Sequence, residues 1–182
     1  MQLIVALDLG TRMGFACGKA GHGEAYPRSG AVILKSPKEP RGRAFGNLID
    51  WLNKFIPAER PTLLVKEAPL PLQAFKNLGN AAATVTFTGG LHAIVEGMCD
   101  RYGIACQDVA DSTVRKHFIG RARMGTRALT KQAVVQRAKA LKLIPADCTD
   151  DNRADAVALF DYAAHTFARA SGGELVLFGD AA

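Results

Sequence analysis

The sequence predicts a single α/β domain, because short apolar strands at the start of the chain are followed by strands and helices that alternate. Three observations support this prediction. Residues 3–7 form an apolar run, residues 62–67 form a second one, and a segment of helical length separates the second run from a third at residues 104–109. A strand, a helix and a strand in this order are typical of a β-α-β unit with parallel strands. The length suits one domain, which we assign to residues 1–182.

The first strand is expected to have antiparallel partners. Residues 14–17 and 31–34 are predicted strands, and the glycine-rich stretch between them favours a meander. After a break at residues 37–40, apolar side chains recur at helical spacing up to Pro57. A helix packed on the sheet is therefore expected in this region.

Helices are also predicted after each later strand. The crossover helix ends near residues 102–103, and Asp111 with Ser112 is expected to cap a helix over residues 113–119. A basic turn separates this helix from another at residues 130–141. The last long helix begins near Asp150 and ends at the glycine pair that follows Ser171.

The chain is basic, with 23 Lys and Arg residues against 17 Asp and Glu residues and a net charge of +6. The cations are concentrated between residues 114 and 142, where no acidic residue occurs. They are Arg115, Lys116, Arg121, Arg123, Arg127, Lys131, Arg137, Lys139 and Lys142. Such a segment fits the phosphates of a nucleic acid, although a solvated helical face has the same composition.

The remaining composition indicates a cytoplasmic protein. Cysteines occur at 17, 99, 106 and 148, a spacing that fits reduced thiols better than a zinc knuckle or a disulfide framework. We expect neither a secretory leader nor a membrane span, since the first apolar run lacks a basic leader and later runs are too short. The four histidines, at 22, 92, 117 and 165, show no metal-ligand spacing. We interpret them as ordinary, with His117 in the basic stretch as the one to watch for contact with nucleic acid.

Four carboxylates occupy positions from which they could meet. Asp8 follows the first strand, Glu67 ends the second parallel strand, and Asp151 and Asp155 are one helical turn apart. Such a cluster needs a hard cation to offset the repulsion between like charges, and oxygen ligands favour Mg²⁺ or Mn²⁺. Two such ions would support in-line hydrolysis of a phosphodiester.

Each carboxylate also has a structural interpretation. Asp8 could satisfy backbone amides of the turn at Gly10, and Glu67 could lie on the surface. Asp151 could be only the N-cap or a first-turn acid of its helix, where the helix dipole favours a negative charge. Asp155 is harder to explain in this way, because small apolar residues surround it and an unpaired buried carboxylate is expensive.

The chain resembles the RuvC group of Holliday-junction resolvases, within the RNase H-like nuclease superfamily. The resemblance runs from Leu3 to about Phe167. It depends on the motifs Ala6-Leu7-Asp8-Leu9-Gly10-Thr11 with Gly14-Phe15-Ala16, Val65-Lys66-Glu67, the basic stretch from Val114-Arg115-Lys116 to Lys131, and Asp151-Asn152-Arg153-Ala154-Asp155-Ala156. It implies an RNase H-like fold, with a five-stranded mixed β-sheet flanked by α-helices.

The resemblance also implies Mg²⁺-dependent nicking of DNA, with Mn²⁺ able to substitute. Asp8, Glu67 and Asp155 match acidic ligands of the family. The fourth ligand is open between two positions, since Asn152 stands three residues before Asp155 and Asp151 stands four before it. Both positions reach the same helical face, and we select Asp151.

The family pattern further implies DNA contacts and a homodimer that engages a four-way junction. Lys131 matches a cation near the scissile phosphate, and Arg115 matches another basic contact. With Lys116, Arg121, Arg123 and Arg127 they form the predicted DNA-binding set. Phe75 lies in a proline-rich loop and is either a wedge that stacks on an unpaired base or a residue of the core or dimer interface. The dimer surface is expected to include the helix over residues 91–98.

The predicted function is therefore that of a structure-selective DNA endonuclease acting on Holliday junctions or related branched DNA. One alternative is a protein of the same fold that binds nucleic acid without cutting it. The other is an ATP-binding domain of the actin and Hsp70 group, because Asp8-Leu9-Gly10-Thr11 with Gly14 also fits the first phosphate motif of that group. That group needs a second such domain and a second phosphate loop, which the sequence does not supply.

Overall fold

A five-stranded mixed sheet organises the part of the chain that the computed structural model describes, which is residues 2–20, 27–69 and 81–167. The elements in chain order are β1 (Leu3–Asp8), β2 (Arg12–Lys19), β3 (Arg28–Ile33), α1 (Arg41–Glu59), β4 (Leu63–Glu67), α2 (Ala81–Tyr102), β5 (Ala105–Val109), α3 (Asp111–Ile119), α4 (Arg127–Ala140) and α5 (Asp151–Phe167). The strand order is β3-β2-β1-β4-β5. In these ranges, no helix combines the length and apolar character that crossing a membrane requires.

The predicted fold class is confirmed by the strand pairing. The strands β1, β2 and β3 form an antiparallel meander, in which Asp8 lies opposite Gly14. The strands β1, β4 and β5 run parallel to one another, so that β4, α2 and β5 form the expected β-α-β unit. Because these three strands are parallel, their carboxyl ends lie at one edge of the sheet.

Helices cover the two faces of the sheet, and each face has its own apolar core. On β1, Ile4 and Ala6 belong to the core beneath α3, α4 and α5, whereas Val5 and Leu7 belong to the core beneath α1 and α2. Side chains alternate between the faces of a strand. Asp8 therefore shares the α5 face with Ala6, and the same parity places Glu67 of β4 on that face.

Lys66, the neighbour of Glu67, points to the opposite face. Its side chain is 1% exposed, and its Nζ lies 2.9 Å from Oε1 of Glu96 and 3.2 Å from Nδ1 of His92. It also pairs with Asp108 of β5. Burial opposes the charge of Lys66, but the two carboxylates outweigh it and raise its pKa. This ion network ties β4 to α2 and β5 on the side of the sheet away from Glu67.

Several helix boundaries differ from the sequence prediction, among them the start of α4, which lies at Arg127 and not at residue 130. Helix α1 continues through Pro57 to Glu59 and ends at Arg60, whose φ of 53° is left-handed. A proline this close to the end removes only one hydrogen bond of the last turns, and Ile56 is buried in the core. Helix α3 begins at Asp111 after Ala110, with no side-chain cap. The predicted capping role of Asp111 and Ser112 is therefore wrong.

Gly14 allows β2 to pack directly against α5. A Cβ atom at this position would lie 1.9 Å from the backbone oxygen of Asn152. We expect Gly14→Ala to lower the free energy of unfolding by about 2 to 4 kcal/mol, because strand and helix must move apart. Urea denaturation of the metal-free protein measures this effect.

The matched control is Gly46→Ala on the exposed side of α1, where no atom lies within 4 Å of the added Cβ. This substitution is expected to raise the stability by about 0.5 to 1 kcal/mol, since alanine favours a helix. A Gly14→Ala variant as stable as Gly46→Ala would contradict the close packing of β2 and α5.

Candidate active site

An acidic pocket lies at the edge of the sheet where β1, β4 and β5 end. Asp8 is the last residue of β1, Glu67 is the last residue of β4, and Asp111 follows β5 as the first residue of α3. Asp155 reaches the same pocket from α5. The remaining lining residues are Val114, Arg115, Val134, Ala158 and Leu159. Four carboxylates are thus brought together from positions spread over 148 residues of sequence, from 8 to 155.

The carboxylates of this acidic pocket hold protons more tightly than isolated ones. Burial, followed by the charges of Asp155 and Glu67, raises the pKa of Asp8 well above its usual range. Burial and the charges of Asp111 and Asp155 raise the pKa of Glu67 to about 7, although a hydrogen bond from Asp8 opposes the shift. Burial is also the main cause that raises the pKa of Asp155 to about 6. The pocket therefore resists four negative charges unless a cation offsets them.

Two basic side chains border the pocket and offset part of its charge. Nη1 of Arg115 lies 2.5 Å from Oδ2 of Asp111, one helical turn away on α3. Nζ of Lys131 lies 4.0 Å from Oδ2 of Asp155. Nε of Arg115 is buried and has no hydrogen-bond partner among the described residues. Both cations lower the pKa of Asp155, but the pKa stays above its ordinary value near 3.8.

The structure treats the fourth predicted ligand differently from the other three. Asp151 lies on α5 but does not line the pocket, and its carboxylate pairs with Lys131. Its charge nevertheless raises the pKa of Asp155, so it is close to the rim. Asn152, the other position considered, places its side-chain nitrogen 3.4 Å from Oδ1 of Asp151. The role of Asp151 as a ligand stays a prediction.

Sequence reasoning missed Asp111, which it interpreted as part of a helix cap. A usable signal was present, since Asp111 follows β5 much as Asp8 and Glu67 end β1 and β4. A residue just after the end of a parallel strand belongs to the edge where ligands bind in open α/β sheets. Burial raises the pKa of Asp111 as it does for the other three carboxylates.

The predicted DNA-binding residues differ in their exposure and in their distance from this pocket. Lys116, Arg121, Arg123 and Arg127 are exposed. Arg115 is half-buried and lines the pocket, and Lys131 is half-buried beside Asp155. The charge of Arg127 lowers the pKa of Asp111, which indicates that Arg127 lies near the pocket. Phe75 lies outside the described residues.

Comparisons with known proteins identify the fold. No family model matches the chain, and no curated protein matches it in sequence. The chain has an RNase H-like α/β fold. Solved structures that share it include RuvC of Thermus thermophilus, at 18% identity, a TM-score of 0.65 and coverage of 94% of this chain and 97% of that one.

Two further solved structures show the same likeness. The T. thermophilus RuvC in complex with a Holliday junction substrate has 17% identity, a TM-score of 0.67 and coverage of 94% of this chain and 97% of that one. The yeast mitochondrial Holliday junction resolvase Ydc2 has 9% identity and a TM-score of 0.58, over 87% of this chain and 75% of that one. The fold of this chain is that of RuvC-type resolvases, as the sequence motifs predicted.

Proposed function

We propose that this protein is a structure-selective DNA endonuclease that cuts Holliday junctions or related branched DNA by metal-dependent hydrolysis of a phosphodiester. The observation that carries the proposal is the half-buried cluster of Asp8, Glu67, Asp111 and Asp155 in a chain with a RuvC-type fold. We also propose a cytoplasmic location. The four cysteines are free thiols, which fits a reducing compartment.

The donor set of the acidic pocket suits a hard divalent cation. Carboxylate oxygens are the ligands that Mg²⁺ and Mn²⁺ prefer. Asp8, Glu67 and Asp155 would hold the cation, with Asp111 or Asp151 as a further oxygen donor. When bound, the cation supplies electrophilic stabilisation of the phosphodiester and activates water for attack.

The neighbouring basic residues have separate tasks in this proposal. Lys131, at the rim beside Asp155, offsets charge that develops on the scissile phosphate. Arg115 holds Asp111 in place through its ion pair. The exposed cations, Lys116, Arg121, Arg123 and Arg127, bind the phosphates of the flanking DNA arms.

We propose a homodimer as the active form, so that two pockets can cut two opposed strands of one junction. Within residues 91–98, Leu91, Val95 and Met98 are buried inside the chain itself. The face of α2 left for a second copy therefore presents Ala93, Glu96 and Gly97, which are exposed. Light scattering of the purified protein tests the stoichiometry.

The deciding experiment is a cleavage assay with and without Mg²⁺ on four-way, three-way, flap, duplex and RNA-containing substrates. The endonuclease proposal requires cuts at the branch that depend on the cation. Binding of branched DNA without cutting under every condition would instead support the alternative of a non-cleaving binding protein. The ATP-binding alternative is not favoured, because the solved structures named above are resolvases that match most of the chain.

A pair of substitutions separates the two candidates for the fourth carboxylate. We expect Asp111→Asn to weaken Mn²⁺ binding by about tenfold or more, because Asp111 lines the pocket. Asp151→Asn is expected to change Mn²⁺ binding by less, since Asp151 is 39% exposed and pairs with Lys131. Isothermal titration of each variant with Mn²⁺ measures the difference. The reverse order of effects would assign the fourth position to Asp151.

A further inference from the structure

A second cluster of metal-ligating side chains lies between α3 and α5, away from the acidic pocket. His117 comes from the end of α3, and Asp161 and His165 lie one turn apart on α5. One ligand atom of each of these residues lies within 4.8 Å of those of the other two. Asp161 is central, with Oδ2 at 2.9 Å from Nε2 of His117 and Oδ1 at 3.8 Å from Nδ1 of His165. We call this set the His-Asp-His cluster.

The spacing of the ligand atoms fits a first-row transition metal. Bonds of about 2.1 Å to nitrogen and oxygen place neighbouring ligand atoms about 3.0 to 3.4 Å apart. The distances of 2.9 and 3.8 Å around Asp161 bracket that range. Two imidazoles and one carboxylate favour Zn²⁺, Co²⁺ or Ni²⁺ over Mg²⁺, which prefers oxygen alone.

The two histidines are held differently. The His117 ring contacts Tyr162 edge-on, with centroids 5.5 Å apart, and its side chain is 30% exposed. His165 is 56% exposed and donates from Nδ1 to the backbone oxygen of Asp161, at 2.8 Å. Ligation requires only that this exposed ring exchange one local hydrogen bond for a metal bond. The site is therefore partly formed and accessible to solvent. The His117 ring packs against Tyr162, and the exposed His165 ring is free to adjust its position.

The cluster is separate from the acidic pocket. His117 stands six residues after Asp111 on α3, and Asp161 stands six residues after Asp155 on α5. Six residues correspond to about 9 Å along a helix. The two sites therefore lie at successive levels of the contact between the same two helices.

We propose that His117, Asp161 and His165 bind one Zn²⁺-class ion, which joins α3 to α5. The ion stabilises the folded protein, because the three ligands are brought together only when these helices pack. It also fixes the two helices that carry Asp111 and Asp155. The proposal does not depend on the nuclease activity.

The test uses untagged protein titrated with Co²⁺ and with Zn²⁺ in excess Mg²⁺, which occupies sites of oxygen ligands. We expect one equivalent of Co²⁺ with visible d–d absorption and no sulfur-to-cobalt charge transfer, and a higher melting temperature with Zn²⁺. His117→Gln and His165→Gln should each weaken binding at least about tenfold. His22→Gln, which also removes a histidine, is the matched control and should bind like the parent.

Two results would overturn the proposal. One is Co²⁺ or Zn²⁺ binding that both cluster variants retain at parental affinity, and the other is a charge-transfer band that assigns the ion to a cysteine. Circular dichroism checks the fold of each variant. His165→Gln keeps the test valid if His117→Gln does not fold, because His165 is mostly exposed.

Discussion

Asp8→Asn is expected to abolish DNA cleavage while junction binding stays near the parental level. Asp8 lines the acidic pocket together with Glu67 and Asp155, and their charges act on its carboxyl group. An amide keeps the shape of the side chain but cannot supply the charge that a divalent cation needs. We expect single-turnover cleavage to fall by at least about 1000-fold, which corresponds to about 4 kcal/mol of transition-state stabilisation.

The binding half of this prediction depends on the exposed cations, which the substitution leaves unchanged. Fluorescence anisotropy with a labelled four-way junction measures it. Asp100→Asn is the matched control, because Asp100 is an exposed aspartate on α2 outside the acidic pocket. If Asp8→Asn cuts as fast as Asp100→Asn, the proposed metal-dependent mechanism is wrong.

The second large effect is expected in the pH dependence of stability. The pKa of Glu67 is raised from its ordinary value near 4.5 to about 7 by burial and by the charges of Asp111 and Asp155. The folded protein therefore binds this proton more tightly than the unfolded chain does. The resulting stability is fully present below about pH 4.5 and is lost as the pH rises through 7. For Glu67 alone the loss is about 3 kcal/mol.

Glu67→Gln isolates this contribution, because glutamine cannot ionise. In metal-free buffer, we expect the variant and the parent to be about equally stable near pH 4 and the variant to be more stable at pH 8. Mn²⁺ at pH 8 should reverse the order, since the cation stabilises the ionised parent and has lost a ligand in the variant. Urea unfolding at the two pH values, with and without Mn²⁺, measures both effects. The prediction is contradicted if the difference in stability between the parent and Glu67→Gln is the same at pH 4 and at pH 8. Glu67 would then not be desolvated in a crowded acidic pocket.

The positions of the strands and most of the helices followed from the sequence. Alternation and apolar runs define β1 and β4, and the parity along each strand places Asp8 and Glu67 on one face. Because both residues end parallel neighbouring strands, their meeting required no information beyond that pairing. Local patterns were sufficient here since strand direction and side-chain parity leave few alternatives.

The completion of the acidic pocket was decided by the packing of the helices. Asp151 and Asp155 share a helical face by spacing, yet only Asp155 lines the pocket. The first turn of α5 lies at the rim of the pocket, where the Asp151 carboxylate forms an ion pair with Lys131. Asp111 enters instead because α3 begins directly at the end of β5.

The sequence by itself determined the sheet, the edge at which the acidic residues gather and the basic segment beside it. Only the tertiary structure decided which fourth carboxylate enters the acidic pocket and that His117 meets Asp161 and His165 across 44 residues or more of chain. The physical reason is that strand parity is a local property with a period of two residues. The rotation and position of one helix against another depend instead on contacts distributed over the whole core.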